Sequence, residues 1–255
     1  MKVRSVTYPY GGTMGDVEAS AGGKRMFVYL TSAFRPAASV NVIVYLHGHW
    51  RTKTVKNFDQ LIQHETIASF IRAVDGAGAP LALVIPSLGV RSGEDWVSEK
   101  DAFASVLKDV QQFAAWRANE LKVNMCLKDW TVDPASGQKV QPLLLGTLVL
   151  AAHSGGGATL NRLRKNGGSN FANVKEVWMF DSLYGGSGEP EEWIPVAEQT
   201  VIHAFWEDTW RTEKLEKLRK QHKNLPNLKT VARTPGHDHI PGRYAGKLIQ
   251  NSANL

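Results

Sequence analysis

Residues 143–157 read Leu-Leu-Leu-Gly-Thr-Leu-Val-Leu-Ala-Ala-His-Ser-Gly-Gly-Gly, an apolar run that stops at a serine among small residues. The apolar part has the length and content of a buried strand, and Ala158 to Lys165 reads as a helix after it. A hydroxyl at a sharp strand-to-helix turn tolerates little bulk on either side. Ala152 stands two positions before Ser154 and Gly156 two after, so the motif is A-x-S-x-G, close to the common elbow G-x-S-x-G.

The rest of the chain repeats the alternation. Residues 3–9 and 26–32 are predicted as early strands. Val40 to Leu46 and Leu81 to Ile85 are predicted as buried strands, and Val174 to Phe180, Val201 to Trp206 and Leu228 to Ala232 as further strands. Between them, helical periodicity marks Asn57 to Val74 and Asp101 to Leu121, and Glu191 to Gln199, Thr212 to His222 and residues 242–252 are also expected as helices. Gly167-Gly168 reads as a helix C-cap, and residues 122–142 as a polar excursion. Strand–helix alternation predicts an α/β fold: a mostly parallel central sheet with helices on both faces.

Composition narrows the class. A chain of 255 residues, 43% hydrophobic and 21% charged, fits one globular domain over residues 1–255. No apolar stretch reaches the roughly 18 residues of a membrane span. Met1 to Tyr8 lacks the apolar core of a signal peptide. The single cysteine, Cys126, precludes an internal disulfide, so a cytoplasmic location is expected. The net charge of +6 owes much to Lys214, Lys217, Arg219, Lys220 and Lys223. Glu213 and Glu216 are interleaved with them at helical spacing, which reads as a solvated helix face. No nucleic-acid recognition motif accompanies the charge.

In open α/β sheets, ligand groups gather beyond the carboxyl ends of the strands. Four groups of residues fall there. Ser154 is the candidate nucleophile, and the Gly155 N–H at the start of the next helix would face a developing oxyanion. The loop His47-Gly48-His49-Trp50 would supply a second oxyanion N–H, from His49 or Trp50. A general base is expected in Gly236-His237-Asp238-His239, with His237 favoured and His239 the alternative. The acid that orients it is Asp181, after the strand 174–180, or Asp208, after the strand 201–206, where Glu207 also stands.

Together these features resemble the α/β-hydrolases over roughly residues 25–250. The resemblance implies a three-layer fold and a serine hydrolase with Ser154 as nucleophile and His237 as base, and it needs no cofactor and no metal. The family's usual acid position corresponds to Glu207 or Asp208, while some members place it one strand earlier, at Asp181. The chain order of serine, acid and histidine agrees either way. The departure is Ala152 in place of the first elbow glycine.

The expected substrate is a small-molecule or polymeric carboxylic ester, with an amide or thioester as the alternative. Trp96, Tyr184 and Trp193 are candidates for an aromatic rim. Two other readings compete. His47-Gly48-His49 and His237-Asp238-His239 are His-x-His pairs that could hold zinc in a metal-dependent hydrolase, but a closed barrel lacks helices between the first strands. A catalytically silent binding protein of the same fold could use Trp50, Trp96, Trp206 and Trp210 to line a cleft.

Overall fold

The computed structural model describes residues 3–4, 12–20, 23–35, 37–50, 55–89, 96–99, 101–119, 141–166, 171, 173–182, 200–207, 213, 220, 228–233 and 236–255. The predicted helices at 191–199 and 212–222 lie outside the described residues, apart from Glu213 and Lys220. So do Cys126, Tyr184, Trp193, Asp208, Trp210, Gly167-Gly168 and nearly all of 122–142.

Among the described residues, nine strands form one sheet: β1 (Val3–Arg4), β2 (Thr13–Glu18), β3 (Arg25–Leu30), β4 (Ser39–Leu46), β5 (Leu81–Pro86), β6 (Leu144–His153), β7 (Val174–Phe180), β8 (Val201–Trp206) and β9 (Leu228–Arg233). Their order is β1-β2-β3-β5-β4-β6-β7-β8-β9. The first three pair antiparallel, and β3 joins β5 antiparallel. From β5 to β9 every pairing is parallel.

Helices cover both faces. Alternation along β4 and β6 sends Val42, Val44, Leu46, Leu148, Leu150 and Ala152 to one face, against α3 (Ala102–Asn119) and, after β6, α4 (Gly156–Asn166). Ile43, Tyr45, Val149 and Ala151 point the other way. There they meet α1 (Phe58–Gln63), α2 (Glu65–Gly76) and α5 (Ile240–Asn251). No helix among the described residues is long and apolar enough to cross a membrane.

Two elements differ from the sequence expectation. Strand β2 lies outside the expected strands, because a run holding Gly15, Asp16 and Glu18 has poor strand propensity. It forms because β3 offers a full partner edge, and Asp16, buried at 6% exposure, is paired with Arg25 at 2.5 Å. The helix expected over Asn57 to Val74 is broken at His64, whose ψ of 138° is extended. The apolar positions explain the break. Phe58, Leu61 and Ile62 share one stripe, but the five-residue step to Ile67 leaves it, and Ile67, Phe70, Ile71 and Val74 define another. Two short helices bury both stripes in one core, which a single straight helix does not.

Candidate active site

β6 ends at His153, and the chain turns into α4 through Ser154 and Gly155. Ser154 has φ of +50°, a conformation that L-residues rarely adopt. Its backbone N–H donates to the Phe180 carbonyl at 3.1 Å, which ties the turn to the end of β7. The turn is crowded on both sides. A Cβ on Gly156 would lie 2.1 Å from the Leu46 carbonyl oxygen, and one on Gly48 would lie 2.6 Å from Ser154 Cβ. The loop after β4 is therefore pressed directly against the serine. Ala152 is fully buried between Leu46 and Met179 in the sheet, so a methyl is accommodated at the first elbow position.

Asp181 follows β7 with φ of +44° and is 3% exposed. Its N–H donates to the Phe205 carbonyl at 2.6 Å. Its carboxylate accepts the Glu207 N–H at 3.4 Å and a hydrogen bond from His237 Nδ1. A carboxylate only accepts, so Nδ1 carries the proton and Nε2 is the basic nitrogen. The hydrogen bond to Asp181 raises the His237 pKa above its ordinary value; burial opposes this, and Asp238 and Glu207 add to the rise. Glu207 also accepts the Gly236 N–H at 3.2 Å, fastening the turn that presents His237. Among the described residues, no hydrogen bond joins the Ser154 hydroxyl to His237. Such contacts commonly tighten only when substrate is bound.

The sequence left two choices open at this site. Of the two late histidines, His237 is the one in contact with a buried carboxylate. His239 is exposed and packs back toward Gly236. Of the acids, Asp181 makes that contact, Glu207 holds Gly236, and Asp208 is outside the described residues.

The loop after β4 contributes three rings. His47 is buried; its Nδ1–H donates to the Gly48 carbonyl at 2.8 Å, and its Nε2 accepts the Leu88 N–H at 2.9 Å. Burial lowers its pKa to about 4, so the ring is neutral. Both nitrogens are used, so His47 and His49 do not form the chelating pair that a His-x-His zinc site requires. Trp50 stacks on His47 at 5.5 Å between centroids. The His49 ring lies over Gly155, where a Cβ would fall 2.5 Å from Nε2. His153, His237 and Asp238, and likewise Asp181, Glu207 and His237, bring ligand-type atoms within 4.8 Å of one another. In both groups His237 Nδ1 is already committed to Asp181.

A cavity of about 410 Å³ opens beside these groups. His49 and Trp50 form one wall, His64 and Ile67 at the α1–α2 corner another, and His153 and His237 a third. Trp96 and Trp206, considered from sequence as cleft residues, are instead buried; their indole N–H groups bond to the Ser87 and Ser182 carbonyls, each at 2.8 Å.

One contact escaped the sequence reading. His153 Nε2 lies 3.1 Å from the His237 carbonyl oxygen, with the two rings 4.5 Å apart. Strand alternation carried the signal, since His153 continues the Val149–Ala151 face, the one α5 covers.

No family model matches the sequence, and no curated protein matches it. The structure is similar to a mutant of the feruloyl esterase module from Clostridium thermocellum complexed with sinapinate. The TM-score is 0.56 at 12% identity, over 97% of this chain and 90% of that one. It is also similar to an S-formylglutathione hydrolase from Agrobacterium tumefaciens, with a TM-score of 0.51 at 12% identity over 98% of each chain. The chain has the α/β-hydrolase fold: a mostly parallel sheet between two helical layers.

Proposed function

From the α/β-hydrolase fold and the groups gathered at its strand ends, we propose that this chain is a serine hydrolase cleaving carboxylic esters through an acyl-enzyme on Ser154. The observation that carries this reading is the hydrogen bond from His237 Nδ1 to the buried Asp181 carboxylate, one strand away from a serine held at positive φ.

Ser154 Oγ attacks the ester carbonyl carbon while His237 Nε2 takes the hydroxyl proton. Asp181 holds the ring in the required tautomer and stabilises the imidazolium. The negative charge that develops on the carbonyl oxygen is met by the Gly155 N–H, by an N–H of His49 or Trp50, and by the positive end of α4. Collapse breaks the bond to the alcohol, which leaves with the proton from His237. Water then attacks the acyl-enzyme with His237 again as base, and the acid departs. An amide or a thioester would follow the same path with a different leaving group.

The named activities of the two similar structures, a feruloyl esterase and an S-formylglutathione hydrolase, support hydrolysis in general. A fluorophosphonate probe tests the mechanism directly. It should label Ser154 in folded protein, and Ser154→Ala should abolish both labelling and turnover of a short-chain nitrophenyl ester. Failure of the folded wild type to react would sink the proposal.

A further inference from the structure

We infer that His153 is a positioning residue for His237, so that the residue preceding the nucleophile also fixes the base; this rests on the serine-hydrolase reading above. Its backbone leads directly into Ser154. Its side chain, 4% exposed, reaches across to the turn before α5 and donates Nε2–H to the His237 carbonyl at 3.1 Å. A carbonyl only accepts, so the proton sits on Nε2. Burial and the neighbouring His237 keep the ring neutral at ordinary pH.

Three strand ends therefore converge on one short turn. Asp181, after β7, holds the His237 ring; Glu207, after β8, holds the Gly236 N–H; His153, ending β6, holds the His237 carbonyl. The bond to Asp181 orients the ring and that to Glu207 holds the residue before it; the bond to the His237 carbonyl restrains the peptide after it and refers the base to the strand that carries the nucleophile. His153 has little freedom of its own: its Nδ1 is packed against Gly48, where a Cβ would lie 3.3 Å away. Misplacement of a reacting group by about 1 Å costs on the order of 10²-fold in rate.

The test compares two polar replacements of similar character. In His153→Gln the amide nitrogen falls near the position of Nε2 and reaches the carbonyl. In His153→Asn it falls short. With a nitrophenyl acetate assay, His153→Asn should lower kcat on the order of 10²-fold with KM nearly unchanged, and His153→Gln should recover about tenfold of that loss. Proton NMR supplies a readout independent of turnover. The downfield resonance of the His237 Nδ1 proton should broaden or vanish in His153→Asn and return in His153→Gln.

Equal losses in the two variants, or an unperturbed resonance in His153→Asn, would overturn the inference. Should the resonance respond as expected while Ser154 resists the fluorophosphonate, the positioning role stands and the hydrolase reading falls.

Discussion

His237 donates its Nδ1 proton to Asp181, and the two residues come from the ends of different elements, 56 positions apart in sequence. The contact sets the tautomer, so Nε2 is left as the basic nitrogen. If Asp181 is the acid, Asp181→Asn presents a donor or a weak acceptor to Nδ1 and disfavours that tautomer. We expect kcat to drop on the order of 10⁴-fold in this variant. Asp208→Asn should cost little. Steady-state rates of the two variants decide between the carboxylates, and the reverse ranking would reassign the acid.

The same contact fixes the pH dependence. Asp181 raises the His237 pKa, and general-base chemistry needs the neutral ring. Activity should therefore rise with pH through a midpoint above the ordinary histidine value of about 6.5. In Asp181→Asn the main raising cause is gone while burial still lowers the pKa, so the acid limb should move to lower pH. Profiles of kcat/KM for wild type and variant report both midpoints. A limb that does not move would show that another group controls it.

Much of this arrangement was legible in the sequence because it is local. The elbow is a contiguous run, and the strands that form the parallel part of the sheet are apolar segments of ordinary length. What stayed ambiguous depended on contacts between distant segments. Asp181 and Asp208 both follow strands, and only the approach of the turn before α5 places His237 against one of them. Strand β2 escaped because its stability lies in its partner, and the break at His64 because its mark is a five-residue step between apolar positions rather than a proline or glycine. The contact from His153 to His237 was encoded by strand parity, a signal that acquires meaning only once the neighbouring helix is known.

Sterics at the elbow give a second kind of test. A Cβ at position 156 would meet the Leu46 carbonyl oxygen at 2.1 Å and the His47 carbonyl oxygen at 2.8 Å. Both are backbone atoms of the neighbouring strand and its loop, so they yield only if the sheet spreads. Gly156→Ala should therefore destabilise by about 3 kcal/mol or more and suppress labelling of Ser154. Ala152→Gly should cost only about 1 kcal/mol, the usual penalty of glycine in a strand. Urea unfolding midpoints read both. Equal effects at the two positions would mean that the serine turn is looser than these contacts require.

At the other end of β7, stability and activity should separate. Glu176, 2% exposed, accepts hydrogen bonds from the Trp178 indole at 2.9 Å, from Asn254 Nδ2 at 3.0 Å and from the Ser252 hydroxyl. Glu176→Ala strands these donors and releases the C-terminal segment from the sheet. A loss of roughly 3 kcal/mol is expected. Activity at temperatures where the variant stays folded should be nearly normal, because Asp181 lies at the opposite end of the strand. A large fall in kcat without a fall in melting temperature would contradict this.

The two buried neutral histidines make the fold sensitive to acid in a defined window. His47 and His153 have pKa values lowered to about 4, chiefly by burial, while in the unfolded chain each titrates near the ordinary value of about 6.5. Between these limits the unfolded state binds more protons than the native state, so stability is lost as pH falls. The full loss across the window is roughly 3 kcal/mol per ring. His237 acts in the opposite sense. Its raised pKa contributes stability that is fully present below about pH 6.5 and is lost as pH rises through its native value. Stability should consequently peak near pH 6.5 and decline below it, before most carboxylates titrate. Urea midpoints between pH 7.5 and 4.5 measure the slope, and His153→Asn should make its acid side shallower by removing one of the two rings. A flat acid side in the wild type would mean that these rings are not held neutral.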